Sequence, residues 1–194
     1  MFDSSWWLGL AAALLFFWGV GGYNRLVRLR AAVTSAFAAL DEQLVRQLVW
    51  VQGCLPDAMR GGVPTLPGEL QDDVTAAWAR PQAASEQFAV ALAHARAQPI
   101  DVQRMASLVM AHEALRTAWG ATLAEAVPAD AVPSSERLQA RWLRLLHGLL
   151  PLCTGFNDAA QSYNQDIVQF PASVLARLFG FKPAGTVTRL ADAR

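Results

Sequence analysis

The chain has 194 residues, 54% of them hydrophobic and 16% charged, with sixteen basic and sixteen acidic side chains that cancel to zero net charge. That is room for one membrane span and one domain of ordinary size, and the hydrophobic fraction is high for a soluble domain, an excess that an apolar anchor and many alanines explain. The charge is unevenly spread, with a net −1 over residues 1–22, +2 over 23–60, −4 over 61–171 and +3 over 172–194. An acidic middle disfavours a nucleic-acid surface, which needs a basic stripe along the domain, whereas basic flanks suit segments lying near anionic lipid.

From Trp6 to Tyr23 no charge interrupts the run WWLGLAAALLFFWGVGGY. At about 1.5 Å per residue it extends about 27 Å, the lower end of what crosses a hydrocarbon core of about 30 Å. Trp6, Trp7 and Tyr23 suit the two headgroup layers, Trp18 lies within the span, and Arg25, Arg28 and Arg30 follow directly. The positive-inside bias then leaves residues 1–5 outside and holds the bulk of the chain in the cytoplasm. A cleaved signal peptide would need a basic start, which Met1-Phe2-Asp3 lacks.

Beyond the span, Leu26, Leu29, Val33, Phe37, Leu40, Leu44, Leu48, Val51 and Leu55 recur at steps of three and four, so the membrane helix is expected to run on into the cytoplasm. Gly and Pro between Arg60 and Gly68 make a first loop. A second helix is expected from Glu69 to Ala97, with a kink or break near Arg80 because Pro81 sits inside it. Pro99 and Asp101 mark a stop and a new start for a third helix, Val102 to Ala126, followed by a loop from Val127 to Pro133. A fourth helix, capped by Ser134 or Ser135, carries Leu138, Trp142, Leu145, Leu149, Leu152, Phe156, Ala159, Tyr163 and Phe170 as one seam and ends at Pro171, with a bend allowed at Pro151.

The expected architecture is all-α: a transmembrane helix at 6–23 continuing into an antiparallel four-helix-type cytoplasmic bundle over 24–171. A short amphipathic membrane-proximal segment follows at 172–182, and residues 183–194, small and polar, are expected to be disordered.

Chemistry-bearing patterns are sparse. His94, His112 and His147 fall on separate expected helices without the Glu-x-x-His spacing of a bundle metal site, and no nucleophile elbow, phosphate loop or dinucleotide fingerprint is present. No cofactor, metal or enzymatic activity is therefore expected. Cys54 and Cys153 form no CxxC pair and, lying far apart along the bundle, should not be bridged. Trp50, Trp78, Trp119 and Trp142 fall one per helix, as core packing would produce, while Asn157 and Asn164 share a face from which their amides could bond a facing helix.

Phe156-Asn157, Tyr163-Asn164, Phe170-Pro171 and the run Leu175 to Phe181, including Phe179-Gly180-Phe181, resemble the C-terminal signature of the LemA family of bacterial membrane proteins. Tyr23-Asn24-Arg25-Leu26, with Ala36-Phe37 and Asp41, is similar to the family's opening helix. After Leu44 the family usually shows basic residues and Ile-Pro-Asn-Leu-Val, where this chain has Val45 to Trp50, so it resembles a divergent member. The resemblance implies a single-pass protein of the bacterial inner membrane with no established catalysis. Its expected partners are membrane lipid and unidentified proteins, a second copy of itself included. The function expected is an interaction scaffold or membrane-shaping bundle, the alternative being a small-molecule or lipid-binding bundle.

Overall fold

A computed structural model of the chain describes residues 4–55, 71–125 and 132–191. Among these there are five α-helices and no strand: α1 (Ser4–Cys54), α2 (Gln71–Ala97), α3 (Val102–Glu125), α4 (Val132–Val168) and α5 (Ala172–Phe179), with a 3-10 turn at Thr188–Ala191. The expected first loop, 60–68, and most of the second lie outside the described residues.

The first helix is unbroken over 51 residues, about 75 Å at 1.5 Å per residue, because Ala and Leu dominate it and no proline interrupts it. It meets two surroundings. From Trp6 to Phe17 every side chain is exposed, and this is the one described helix long and apolar enough to cross a membrane. From Leu26 onward the stripe read from the sequence is the core face, with Leu26, Val33, Leu40, Leu44 and Val51 wholly buried.

The remaining long helices complete an up-down-up-down bundle. Arg25 meets Asp166, Phe37 meets Phe156 and Trp50 meets Trp142, so each advance along α1 matches a retreat along α4. In the same way Phe88 faces His112 and Trp78 faces Trp119, making α2 and α3 an antiparallel hairpin. Arg96 on α2 binds Asp41 on α1 at 2.7 Å and Trp119 on α3 packs on Trp50, which joins the two halves. The core seam of α4 follows the expected spacing through Trp142, Leu149, Phe156 and Tyr163, and Cys153, Ala160 and Ile167 join it.

Several boundaries differ from expectation. Pro81 does not break α2: it is buried, and the turns around it are held through Trp78 against Trp119 and through Ala84 and Phe88 in the core, so packing overrides the local cost. Neither serine precedes α4, since the helix begins at Val132 and Pro133 suits a first helical turn. That helix ends at Val168, and Phe170 lies beyond it, 79% exposed rather than closing the seam.

The largest correction concerns the tail. Residues 183–191, expected to be disordered, are ordered, with Ala184, Val187 and Leu190 buried, and only 192–194 lie outside the described residues. Gly185 approaches α3 so closely that a Cβ there would stand 3.0 Å from the Val102 Cα and 2.9 Å from the Met105 Cβ. Its N–H donates to the carbonyl of Ile100 at 3.0 Å. Small residues are what allow the tail to lie so close, so the composition that suggests disorder is the one this packing requires.

Candidate functional site at the base of the bundle

Residues that lie far apart in the sequence converge where α1 leaves its exposed apolar stretch. The chain turns at Gln169 to Pro171 and runs into α5, whose inner face seats Ala176 in the core and Leu175 against Gly22 of α1. A Cβ on Gly22 would stand 2.9 Å from the Leu175 Cδ1, so a small residue is needed for that approach. Gly180, at φ 70°, ends α5 in the left-handed conformation, and the Phe181 N–H reaches back to the Ala176 carbonyl at 2.9 Å, the closing bond of a Schellman motif. The turn carries Phe181 back onto α1.

An aromatic corner results. The Tyr23 ring lies 4.9 Å from Phe179 and 6.0 Å from Phe181, and Trp18 lies 5.9 Å from Phe170. Beside it the Arg25 guanidinium pairs with Asp166, Nη2 to Oδ1 at 2.9 Å and Nε to Oδ2 at 2.5 Å. The outer face of α5 is uncovered, with Val174, Leu178 and Phe179 exposed alongside Phe170. Its basic residue, Arg177, is exposed as well.

The asparagines read from the sequence have a more local task than bonding a facing helix. Asn164 grips Ala184 with both ends of its amide: Nδ2 donates to the Ala184 carbonyl at 2.9 Å and Oδ1 accepts the Ala184 N–H at 2.7 Å. Asn157 accepts the Val187 N–H at 2.8 Å, and the Tyr163 hydroxyl donates to the Lys182 carbonyl at 2.9 Å. Burial pushes the Tyr163 pKa up, against a smaller opposing pull from Arg30, so the hydroxyl remains a donor. Together these residues replace the backbone partners that a strand would supply.

The sequence-derived residues therefore divide. Tyr23, Tyr163, Asn157, Asn164, Phe170, Pro171, Phe179, Gly180 and Phe181 gather at the base and along the tail it holds, with Trp18 and Arg25. Phe156 sits deeper in the core against Phe37, Asn24 is exposed on α1, and Trp6 and Trp7 lie at the far end of the apolar stretch. Arg28 and Arg30 are exposed just past it. Sequence reasoning missed Asp166 as the partner of Arg25 and the tail residues as partners of the asparagines, because neither pairing has a local signature.

At the opposite end of the bundle the four single tryptophans meet. Trp50 lies 5.0 Å from Trp119 and is stacked 6.1 Å from Trp142, while Trp78 lies 6.0 Å from Trp119. Next to them Gln47 and His112 are buried and joined, Oε1 to Nε2, at 2.9 Å. Burial, assisted by Arg116, lowers the His112 pKa to about 4, so the ring is neutral near pH 7 and can donate from Nε2. Among the described residues no three His, Cys, Asp or Glu side chains come together as a metal site would need, and no disulfide joins Cys54 to Cys153.

Comparison with protein-family models, with curated proteins and with solved structures finds no match. The geometry of the base and the tryptophan end is thus what bears on function.

Proposed function

We propose that the chain is a single-pass membrane protein of the bacterial inner membrane, its N-terminus outside and its bundle in the cytoplasm, whose base is pressed onto the bilayer through α5. On this reading it is a non-enzymatic scaffold that offers the sides and far end of the bundle to partner proteins, or shapes the membrane on which it stands. The observation that carries it is continuity of apolar surface. The exposed stretch from Trp6 to Val20 passes, through Trp18 on Phe170 and Tyr23 on Phe179, into exposed Val174, Leu178 and Phe179. A contiguous apolar surface of that kind marks a membrane or protein contact, and an amphipathic helix with exposed Arg177 beside it suits the headgroup boundary. The resemblance to LemA proteins fits this reading, since most of the residues that carry it at the C-terminal end build the base and clamp the tail.

The test places an environment-sensitive fluorophore on Leu178→Cys, with Cys54→Ala and Cys153→Ala removing competing thiols, in full-length protein reconstituted into bilayers. Blue-shifted emission quenched by lipid-borne quenchers is the expected result. Emission typical of water, insensitive to those quenchers, would overturn the docking of α5.

A further inference from the structure

A cleft opens on the side of the bundle just above this base, with a volume of about 860 Å³. Its walls come from α1 at Arg30 and Thr34, from the end of α2 through the connection into the start of α3 (Arg96 to Gln103), from α4 at Tyr163, and from the strap Gly180 to Pro183 that leaves α5. Three cations face it, Arg30, Arg96 and Lys182, against one carboxylate, Asp101. That carboxylate is already engaged, its Oδ1 accepting the Arg104 N–H at 2.9 Å to cap α3. Arg96 holds Asp41 through Nε at 2.7 Å, and the Tyr163 hydroxyl fixes the Lys182 backbone at the rim. Among the described residues, neither Arg30 nor Lys182 carries an ion pair. Ile100 and Pro183 supply apolar wall beside the charges.

Height above the bilayer decides what such a cleft can take. Arg30 is seven residues past Tyr23, about 10 Å along the helix, and the headgroup layer adds about 5 to 7 Å beyond the hydrocarbon, a gap that a long arginine side chain can span. Lys182 lines the same cleft as Arg30, its carbonyl held by the Tyr163 hydroxyl, one residue past Phe181, whose ring packs on Tyr23.

We propose that this cleft binds the phosphate headgroup of an anionic glycerophospholipid, with Arg30 and Lys182 as its principal ligands and Arg96 completing the cationic wall. The inference rests on the docked base described above and specifies which lipid it selects. A zwitterionic headgroup offers no net charge to two unpaired cations, so selection is for lipids such as phosphatidylglycerol. The acyl chains run down past Tyr23 into the bilayer.

Full-length protein, delipidated in a neutral detergent, would be titrated with phosphatidylglycerol or phosphatidylcholine and read by native mass spectrometry. A single phosphatidylglycerol should remain bound at concentrations where phosphatidylcholine does not, and inorganic phosphate at equal concentration should not displace it. Arg30→Gln with Lys182→Gln should weaken retention by about 20-fold or more, at unchanged helicity. Arg28→Gln with Arg177→Gln removes two charges from the same end but outside the cleft, and its effect should be clearly smaller. Equal loss in both pairs would show diffuse attraction and overturn the cleft, and displacement by inorganic phosphate would overturn the lipid as its source. The Leu178→Cys fluorophore separates this from the docking reading: probe buried in lipid with retention indifferent to Arg30 and Lys182 overturns the cleft alone, whereas a probe in water overturns the docking on which the cleft depends.

Discussion

The two ends of the bundle are held together by different physics. At the far end four indole rings, one from each long helix, close the core by contact, and among the described residues the buried polar groups there include Gln47, His112, Thr122 and Ser85, with the Trp119 Nε1 buried without a partner. At the base, cohesion comes from directed bonds: an ion pair, a Schellman turn and an asparagine that grips a passing backbone, while large apolar side chains point outward. Where the large apolar side chains stand outward, hydrogen bonds take over the joining. The far end turns its aromatics inward and spends them on packing.

Breaking the far end should cost most. Trp119 is wholly buried and touches Trp50, Trp78 and Trp142, so Trp119→Ala should destabilise the bundle by about 3 to 5 kcal/mol, read as a lowered thermal midpoint in detergent. A loss under about 1 kcal/mol would mean that the tryptophans line a yielding space rather than a packed core. Next in size is a pH effect at the neighbouring layer. His112 is held neutral, its pKa lowered to about 4 from 6.5, so between those values the unfolded chain binds a proton that the folded chain refuses. Stability should therefore fall as pH drops from about 6.5 to about 4, by about 3 kcal/mol in all, and His112→Asn should flatten that slope. A slope unchanged in the variant would assign the acid sensitivity to other groups.

The base should respond locally rather than globally. Asn164→Ala removes both bonds to Ala184 and leaves a partly buried N–H and carbonyl without partners, a cost of about 2 kcal/mol concentrated on the tail. Amide exchange at Ala184 and Val187 should quicken at least about tenfold while the midpoint set by the tryptophan end barely moves. Equal acceleration at Trp119 and Ala184 would show one cooperative unit and erase the distinction between the ends.

What could be read from the chain follows the same division. The core of α1 and α4 was legible from Leu26 to Tyr163 because an apolar side chain every three or four residues has few alternatives to a buried helical stripe. The tryptophan end was legible in part: one indole per helix implied core, but their meeting in one cluster required the bundle register. The base was half legible. Val174, Leu178 and Phe179 announced an amphipathic segment, yet Ala184, Gly185 and Val187 carry no pattern, since what orders them is an amide on Asn164 twenty residues upstream. Likewise the cations of the cleft come from α1, the last turn of α2 and the strap, and only antiparallel folding brings Arg30, Arg96 and Lys182 to one place. The uninterrupted passage of α2 through Pro81 had no local signal either, because its cause is Trp78 resting on a helix that comes later.

The smallest effect is expected at the ion pair that ties α1, just past its exposed apolar stretch, to the end of α4. Arg25 makes one hydrogen bond to Asp166, through Nη2 to Oδ1, while Oδ2 meets Nε as a charge contact only; the arginine side chain is 62% exposed and the aspartate 12%, so water screens one partner while the other depends on it. For a pair that open, Arg25→Gln should cost less than about 1 kcal/mol, since glutamine can still donate one hydrogen bond to the carboxylate. The converse change, Asp166→Asn, leaves an exposed arginine that water can solvate, and should cost no more. Both should also leave orientation alone, because Arg28 and Arg30 still mark the cytoplasmic flank in the proposed topology. A reporter fused after Arg194 would check this, remaining active only in the cytoplasm in the parent and in both variants. A large loss of stability from Arg25→Gln, comparable with that of Trp119→Ala, would mean that the base rests on charge far more than its exposure allows, and the contrast between the two ends would have to be redrawn with electrostatics, rather than the tail clamp, as what holds the base.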